Sequence, residues 1–344
     1  MIGRSAAPTP SLRRRAGLGL LAALLVVPLA ACGGSQDGGT ATSDAEGGAA
    51  EGAFPAKIST KFGDVTVERE PRRVVALGWG DAETALALGV QPVGASDWLA
   101  FGGDGVGPWA KGKYDKSPKL IGTLEPELEK IAALKPDLIL DTKSSGDSER
   151  NEMLSKIAPT VSAPSGGDQY KLSWQRQLSM VAKALGRSER GEELKKQTDA
   201  HFRETAEAHP EFKGKTITLG AYSGGGYGAY VRGGGRVEFA EALGFRNSPA
   251  VQKRAGKGFS IDISREKLNL LDADLTVMTP IGVKPGKIAK DPLYQAVPSV
   301  EDGRSVIFED RSISSAFATN TVLSLPYALK KVTPLFSEAL KKGD

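Results

Sequence analysis

The chain has 344 residues with 45 basic and 41 acidic side chains, two histidines and one cysteine. Four of the basic residues lie in the first 31 positions, which hold no acid, so 41 of each sign remain beyond them; that neutrality excludes nucleic acid and general adhesion to anionic lipid as partners. The lone cysteine excludes an internal disulfide, and the only histidines, His201 and His209, are too few for a zinc-uptake site or a Ser-His-Asp triad.

Arg4, Arg13, Arg14 and Arg15 precede an apolar run from Leu18 to Ala31 that is too short to span a bilayer comfortably, which is the build of an export signal over residues 1–31. The run ends in Leu29-Ala30-Ala31-Cys32-Gly33, where small residues admit a peptidase and the thiol can carry a thioether-linked lipid. This resembles the bacterial lipobox, with Cys32 as the lipidated residue. Residues 33–53 have no large apolar side chain until the body begins, so 32–53 is expected to be a lipidated cysteine and flexible tether.

Beyond the tether, Lys57 to Phe62 and Val65 to Glu68 flank Gly63-Asp64, predicting a short hairpin. Short apolar runs then alternate with helix-like stretches: Val74 to Leu77, Pro92 to Ala95 and Leu138 to Leu140, and again Thr216 to Leu219, Leu275 to Met278 and Val306 to Phe308. That rhythm predicts parallel sheets covered on both faces. Two segment pairs match in the same order. Glu83 to Gly89 agrees with Glu238 to Gly244 at the Glu, both alanines, the final Leu and the Gly; Glu129 to Leu138 agrees with Glu266 to Leu275 at Glu, Lys, Leu, Asp and Leu. A helical stretch over 172–210, closed by Pro210, separates the copies. The expected architecture is α/β: two Rossmann-like α/β lobes, 54–171 and 211–344, joined by one long connecting helix, with the ligand cleft between the lobes and a modest rocking motion about a stiff connector.

The runs Pro71 to Leu77, Leu128 to Leu140, Ser264 to Leu268 and Leu323 to Leu329 together resemble the siderophore, haem and cobalamin substrate-binding proteins of ABC importers. The resemblance implies that Glu129 and Glu266, leading the repeated helices, dock on arginines of a permease dimer served by its ATPase. It also implies a monomer on the extracytoplasmic face of the cell membrane, held there through its lipid anchor alone, and no enzyme activity. A carboxylate in a first helical turn is favoured by the helix dipole, and two separated ion pairs fix orientation better than one.

Ligands of open α/β sheets sit on the loops that follow the strands, and those loops hold much of this chain's scarce aromatic content. Trp79, Trp98 and Trp109 fall in the first half; Tyr222, Tyr227 and Tyr230 surround a glycine-rich segment that reads as a loop and ends in Arg232. Flat rings can cover a bulky chelate, while Arg232, with Arg236 and Arg311 ranked behind it, can donate to oxygens around iron. The expected ligand is a ferric siderophore, with hydroxamate favoured because aromatics outnumber arginines. The iron arrives saturated by its chelator, so no protein metal ligand and no cofactor is expected. Two alternatives stand beside it: a haem or cobalamin carrier using one of the three tyrosines, and a two-lobed transferase, for which no general acid, base or diphosphate cradle is found. Gly78-Trp-Gly80-Asp-Ala-Glu83 fails as a dinucleotide fingerprint because Glu83 stands where a small residue is needed.

Overall fold

A computed structural model describes residues 48–343. Cys32, the leader and the tether up to residue 47 lie outside the described residues. The last stretch of the expected tether is docked on the body: the Ala50 amide donates to the Gly186 carbonyl at 3.2 Å and the Ala49 amide to Glu70 at 3.0 Å. A hairpin follows, β1 (Ala56–Thr60) and β2 (Gly63–Val67), turning at Lys61-Phe62 and so two positions earlier than Gly63-Asp64.

The first lobe comprises β3 (Val74–Ala76), α1 (Asp81–Ala87), β4 (Gly94–Ser96), β5 (Lys119–Ile121), α2 (Leu128–Ala133), β6 (Leu138–Asp141), α3 (Ser148–Ser155) and β7 (Thr160–Ser162). Its sheet runs β5-β4-β3-β6-β7 and is parallel throughout. The central strands β3 and β6 are buried at every position, as strands covered by helices on both faces must be.

Helices α4 (Trp174–Ala184) and α5 (Ser188–Ala208) lead to the second lobe. That lobe holds β8 (Thr216–Ser223), β9 (Gly226–Tyr230), α6 (Gly235–Ala242), β10 (Arg246–Asn247), the single turn α7 (Pro249–Gln252), β11 (Ser260–Ile263), a 3-10 segment (Arg265–Leu271) and β12 (Leu275–Pro280). Three more single turns, α8 (Gly286–Ala289), α9 (Pro292–Gln295) and α10 (Pro298–Glu301), precede β13 (Ser305–Ile307), α11 (Arg311–Thr319) and α12 (Ser324–Leu340). Strands β10, β8, β12 and β13 pair in parallel in that order, which is the arrangement of β4, β3, β6 and β7. The fold is thus a pair of similar α/β lobes, with an antiparallel pair, β9 and β11, added to the second sheet.

The residues shared by the two copies do the same physical work in each. Gly89 and Gly244 both have positive φ (79° and 101°) and end α1 and α6 in the same motif, in which the amide one residue on, of Val90 or Phe245, reaches back to the carbonyl of Ala85 or Ala240. Those two alanines are fully buried under the turn. Asp137 accepts from the Arg73 amide at 2.8 Å, and Asp274 from the Thr216 amide at 2.6 Å; each aspartate therefore ties the start of its own strand to the start of the lobe's first strand. Shared sequence here means shared backbone bookkeeping.

The connector departs from the expected single helix over 172–210. It breaks at Gly186, which has φ 68° and closes α4 with the Arg187 amide bonded to Ala182 at 2.7 Å and its own amide to Lys183 at 3.2 Å. Helix α4 packs on α1 and β1 of the first lobe, while α5 packs on α6 and α12 of the second, so the chain passes between lobes where the two connector helices meet. A Cβ on Gly186 would come within 2.7 Å of the Phe54 ring and 2.9 Å of Ala49. Gly186→Ala combines a left-handed backbone penalty with overpacking and is expected to cost about 2–4 kcal/mol. Urea unfolding should show a lower midpoint at unchanged m-value.

Candidate functional site

The ends of the strands in both lobes meet in a narrow cleft filled by rings. Trp79, directly after β3, lies parallel to Trp98 with ring centroids 5.7 Å apart, and Tyr170 stands edge-on to both at 6.5 and 5.5 Å. From the second lobe, Phe259 meets Tyr170 edge-on at 6.1 Å and stacks on Tyr230 at 6.2 Å. The Arg236 guanidinium, in the first turn of α6, lies 4.3 Å from the Tyr230 ring centre and 5.7 Å from that of Trp79, touching both lobes at once. Lys143, two residues past β6, completes the lining, and the free volume left between these side chains is about 20 Å³.

The polar atoms of this recess are poorly satisfied. Arg236 Nε, Trp79 Nε1 and Glu238 Oε2 are buried without a hydrogen-bond partner among the described residues. A buried polar atom left unpaired costs about 1–3 kcal/mol, so three in one place mark a site rather than a core. Burial pushes the Lys143 ammonium down to about 8; Glu238 opposes this and Arg236 adds to it. Glu238 is raised above the usual carboxylate range by burial, with Lys143 opposing.

Beneath the recess sits a second set, in which the carboxylates Asp81 and Glu83 are each satisfied by several donors. Asp81 accepts from the Thr142 amide at 2.9 Å, from the Thr142 hydroxyl, and from Gln177 Nε2 at 2.8 Å; the same Gln177 nitrogen donates to the Trp79 carbonyl at 2.9 Å. These bonds fix the turn that carries Trp79. Glu83, two residues on in α1, accepts from Trp109 Nε1 at 2.8 Å, from the Gly107 amide at 3.3 Å and, across the lobe boundary, from the Thr321 hydroxyl at 2.7 Å. Gly80 allows that approach, because a Cβ there would lie 2.8 Å from the Thr321 methyl group.

Of the residues singled out in the sequence, Trp79, Trp98, Tyr230 and Arg236 come together in the recess. The others are elsewhere. Trp109 is committed to Glu83 and packs on Tyr327 at 5.6 Å. The segment read as a loop is a hairpin whose second strand, β9, buries Tyr227 against Tyr294 and lets its hydroxyl donate to Asp291 at 2.9 Å; Tyr222 packs on Tyr227 at 4.5 Å. Arg232 faces outward and pairs with Glu241 at 2.6 Å, which reverses its ranking relative to Arg236. Arg311 reaches across the cleft mouth to the carbonyls of Leu99 and Ala100. Lys143, Tyr170, Glu238 and Phe259 were not singled out, although Lys143 follows a strand just as Trp79 does. Glu129 and Glu266 are both exposed in the opening turns of matched segments; the second is held below the usual carboxylate range by its own amide and Ser264.

Burial raises the Asp81 carboxyl to about 6, against the hydrogen bonds from Thr142 and Gln177. Its folded pKa thus lies above its unfolded value, so the stability tied to Asp81 is fully present below about pH 4 and is lost as pH rises through about 6. The difference in unfolding free energy between wild type and Asp81→Asn should therefore fall by on the order of 2 kcal/mol between pH 4 and pH 7. Urea titrations of both proteins at each pH measure it; a constant difference would contradict the assignment.

The periplasmic binding protein family model matches residues 74–311. The Fe(3+)-citrate-binding protein YfmC of Bacillus subtilis (strain 168) is 26% identical over 296 residues, covering 80% of this chain and 85% of that protein. The probable siderophore-binding lipoprotein YfiY of the same organism is 31% identical over 219 residues, covering 61% of this chain and 63% of that one. Among solved structures, PiaA of Streptococcus pneumoniae TIGR4 in complex with ferrichrome superposes with a TM-score of 0.73 at 27% identity, over 84% of this chain and 100% of that one. These relatives are binding proteins and not enzymes. With two similar lobes, a shared cleft and a family match spanning both, the chain belongs to the periplasmic binding protein family.

Proposed function

We propose that this is an extracytoplasmic, lipid-anchored substrate-binding protein that captures a ferric siderophore in the interlobe cleft and delivers it to an ABC permease. One observation carries the reading: an aromatic recess spanning both lobes and crossed by the buried Arg236, whose Nε has no partner among the described residues. Rings offer flat apolar faces to the organic shell of a chelate, and a guanidinium donates to the oxygens that surround the iron. The names of relatives that bind ferric citrate and ferrichrome support iron chelates as the class. The hydroxamate expectation came from aromatics outnumbering arginines; Lys143 adds a buried cation that this comparison did not include.

The anchor reading rests on Cys32 and is supported by a relative named as a lipoprotein. Among the described residues no helix is long and apolar enough to cross a membrane. Helices that join parallel strands begin at the carboxyl ends of the strands, so Glu129 and Glu266 lie on the cleft-side rim of their lobes, where a permease could touch both.

Trp79 and Trp98 in the recess make tryptophan fluorescence the direct assay. A ferric siderophore should quench it saturably; Arg236→Ala should weaken binding about ten- to a hundredfold, the loss of a hydrogen bond between charged groups, while Arg232→Ala should change it less than about twofold. Equal effects of the two substitutions would remove Arg236 from the site. In cells, Glu129→Ala combined with Glu266→Ala should leave quenching intact and abolish uptake of the chelate, and Cys32→Ala should release the protein from the membrane fraction or leave it unprocessed. Normal uptake by the double variant would overturn the docking assignment.

A further inference from the structure

The sequence repeat places Glu238 of α6 where α1 has Glu83, and both side chains face the opposite lobe, but their situations differ. Glu83 is satisfied by Trp109, Gly107 and Thr321. Glu238 has one buried oxygen without a partner among the described residues, and the positive charge that acts on it is Lys143 of the first lobe. Lys143 is only 4% exposed, makes up part of the recess lining, and has Arg236 beside it as a second buried cation. The other nearby carboxylate, Asp81, is engaged by three hydrogen bonds from Thr142 and Gln177. Two cations therefore line the recess, with one incompletely bonded carboxylate in their neighbourhood.

Resting on the proposed function, we infer that Lys143 is a specificity-determining residue that receives acidic oxygens of the chelate, and that Glu238 competes with the chelate for it. The site then selects ferric chelates that carry free carboxylate or catecholate charge over neutral ones. An anionic oxygen placed between Lys143 and Arg236 gains two charge-assisted contacts in a site with little water, whereas a neutral hydroxamate shell gains the ring faces and leaves the cations to the protein's own carboxylates. Glu238 is a built-in carboxylate whose charge acts on the same ammonium. Removing its charge leaves Lys143 to the ligand alone.

The test uses ferric citrate as the anionic probe and ferrichrome as the neutral one, titrated into the mature chain by tryptophan quenching. Wild type should favour ferric citrate by about tenfold or more. Lys143→Met should weaken ferric citrate by about ten- to a hundredfold and ferrichrome by less than about twofold, Lys143→Arg should keep the preference, and Glu238→Gln should tighten ferric citrate several-fold. The groups facing Lys143 are Glu238 and Arg236 of α6, Asp81 of α1, Tyr170 after β7 and Tyr230 of β9. Of these, Asp81 titrates near 6, the Tyr170 hydroxyl is raised by burial, and Lys143 itself titrates near 8. Affinity for ferric citrate should therefore fall between pH 7 and pH 9 in wild type and stay level in Lys143→Met. Equal losses for both probes in Lys143→Met, or weaker citrate binding by Glu238→Gln, would overturn the inference while the siderophore-binding reading stands. Absence of quenching by either probe and by a wider siderophore panel would overturn that reading, and the inference with it.

Discussion

A carboxylate buried between two lobes is costly unless hydrogen bonds satisfy it, and Glu83 draws those bonds from both lobes. Its oxygens take the Trp109 indole and the Gly107 amide from its own lobe and the Thr321 hydroxyl from the other. Burial raises its pKa, and those three donors oppose the shift. The loop that carries Trp109, the α11–α12 turn that carries Thr321 and the glycine turn that carries Trp79 all converge on this one helix. The recess lies at that convergence because the geometry of its walls is set by groups Glu83 and Asp81 hold in place.

The duplication explains which features repeat and which diverge. Residues that serve the backbone stay alike: Gly89 with Gly244 at helix ends, Asp137 with Asp274 at strand starts. Residues that face the other lobe are under different demands, since the two lobes present different partners. Glu83 meets a hydroxyl and becomes a clamp; Glu238 makes no ion pair with the nearby Lys143 ammonium and keeps an oxygen unpaired among the described residues. The second sheet also differs by its antiparallel insertion, which carries Tyr230 and, just before β11, Phe259 into the cleft.

Much of this was legible from periodicity and position. Short apolar runs named the central strands because strands covered on both faces can have no polar alternation, and the repeated Glu-to-Gly segment named the helix after the first strand of each lobe. The glycine-rich stretch from Ser223 to Tyr230 misled because its glycines mask a period-two pattern: Tyr227 and Ala229 are buried, while Gly228 admits the Ile261 carbonyl, which a Cβ there would meet at 3.0 Å. Gly186 misled in the opposite way, since a glycine ending an apolar helical run is a stop signal that the charged run after it concealed. The ranking of arginines could not be read at all. Arg232 and Arg236 are four residues apart, and only the packing of α6 decides that one meets Glu241 in solvent and the other lies between two rings.

The recess also shows why charge, more than aromatic surface, should set ligand preference. Its rings already touch one another, in contacts worth about 0.5–1.5 kcal/mol each, so a chelate that inserts between them exchanges ring-on-ring contact for ring-on-ligand contact. The net gain from that exchange is small and similar for any flat ligand. The polar atoms have no such alternative partner: Arg236 Nε and Trp79 Nε1 are unpaired among the described residues, and Lys143 is balanced by Glu238 and, more weakly, by Asp81. A ligand oxygen that reaches them recovers about 1–3 kcal/mol for each polar group it satisfies, and that recovery depends on where its oxygens and charges lie. On the proposed function, the aromatic walls receive chelates as a class, and the buried cations Lys143 and Arg236 are the groups that discriminate among them.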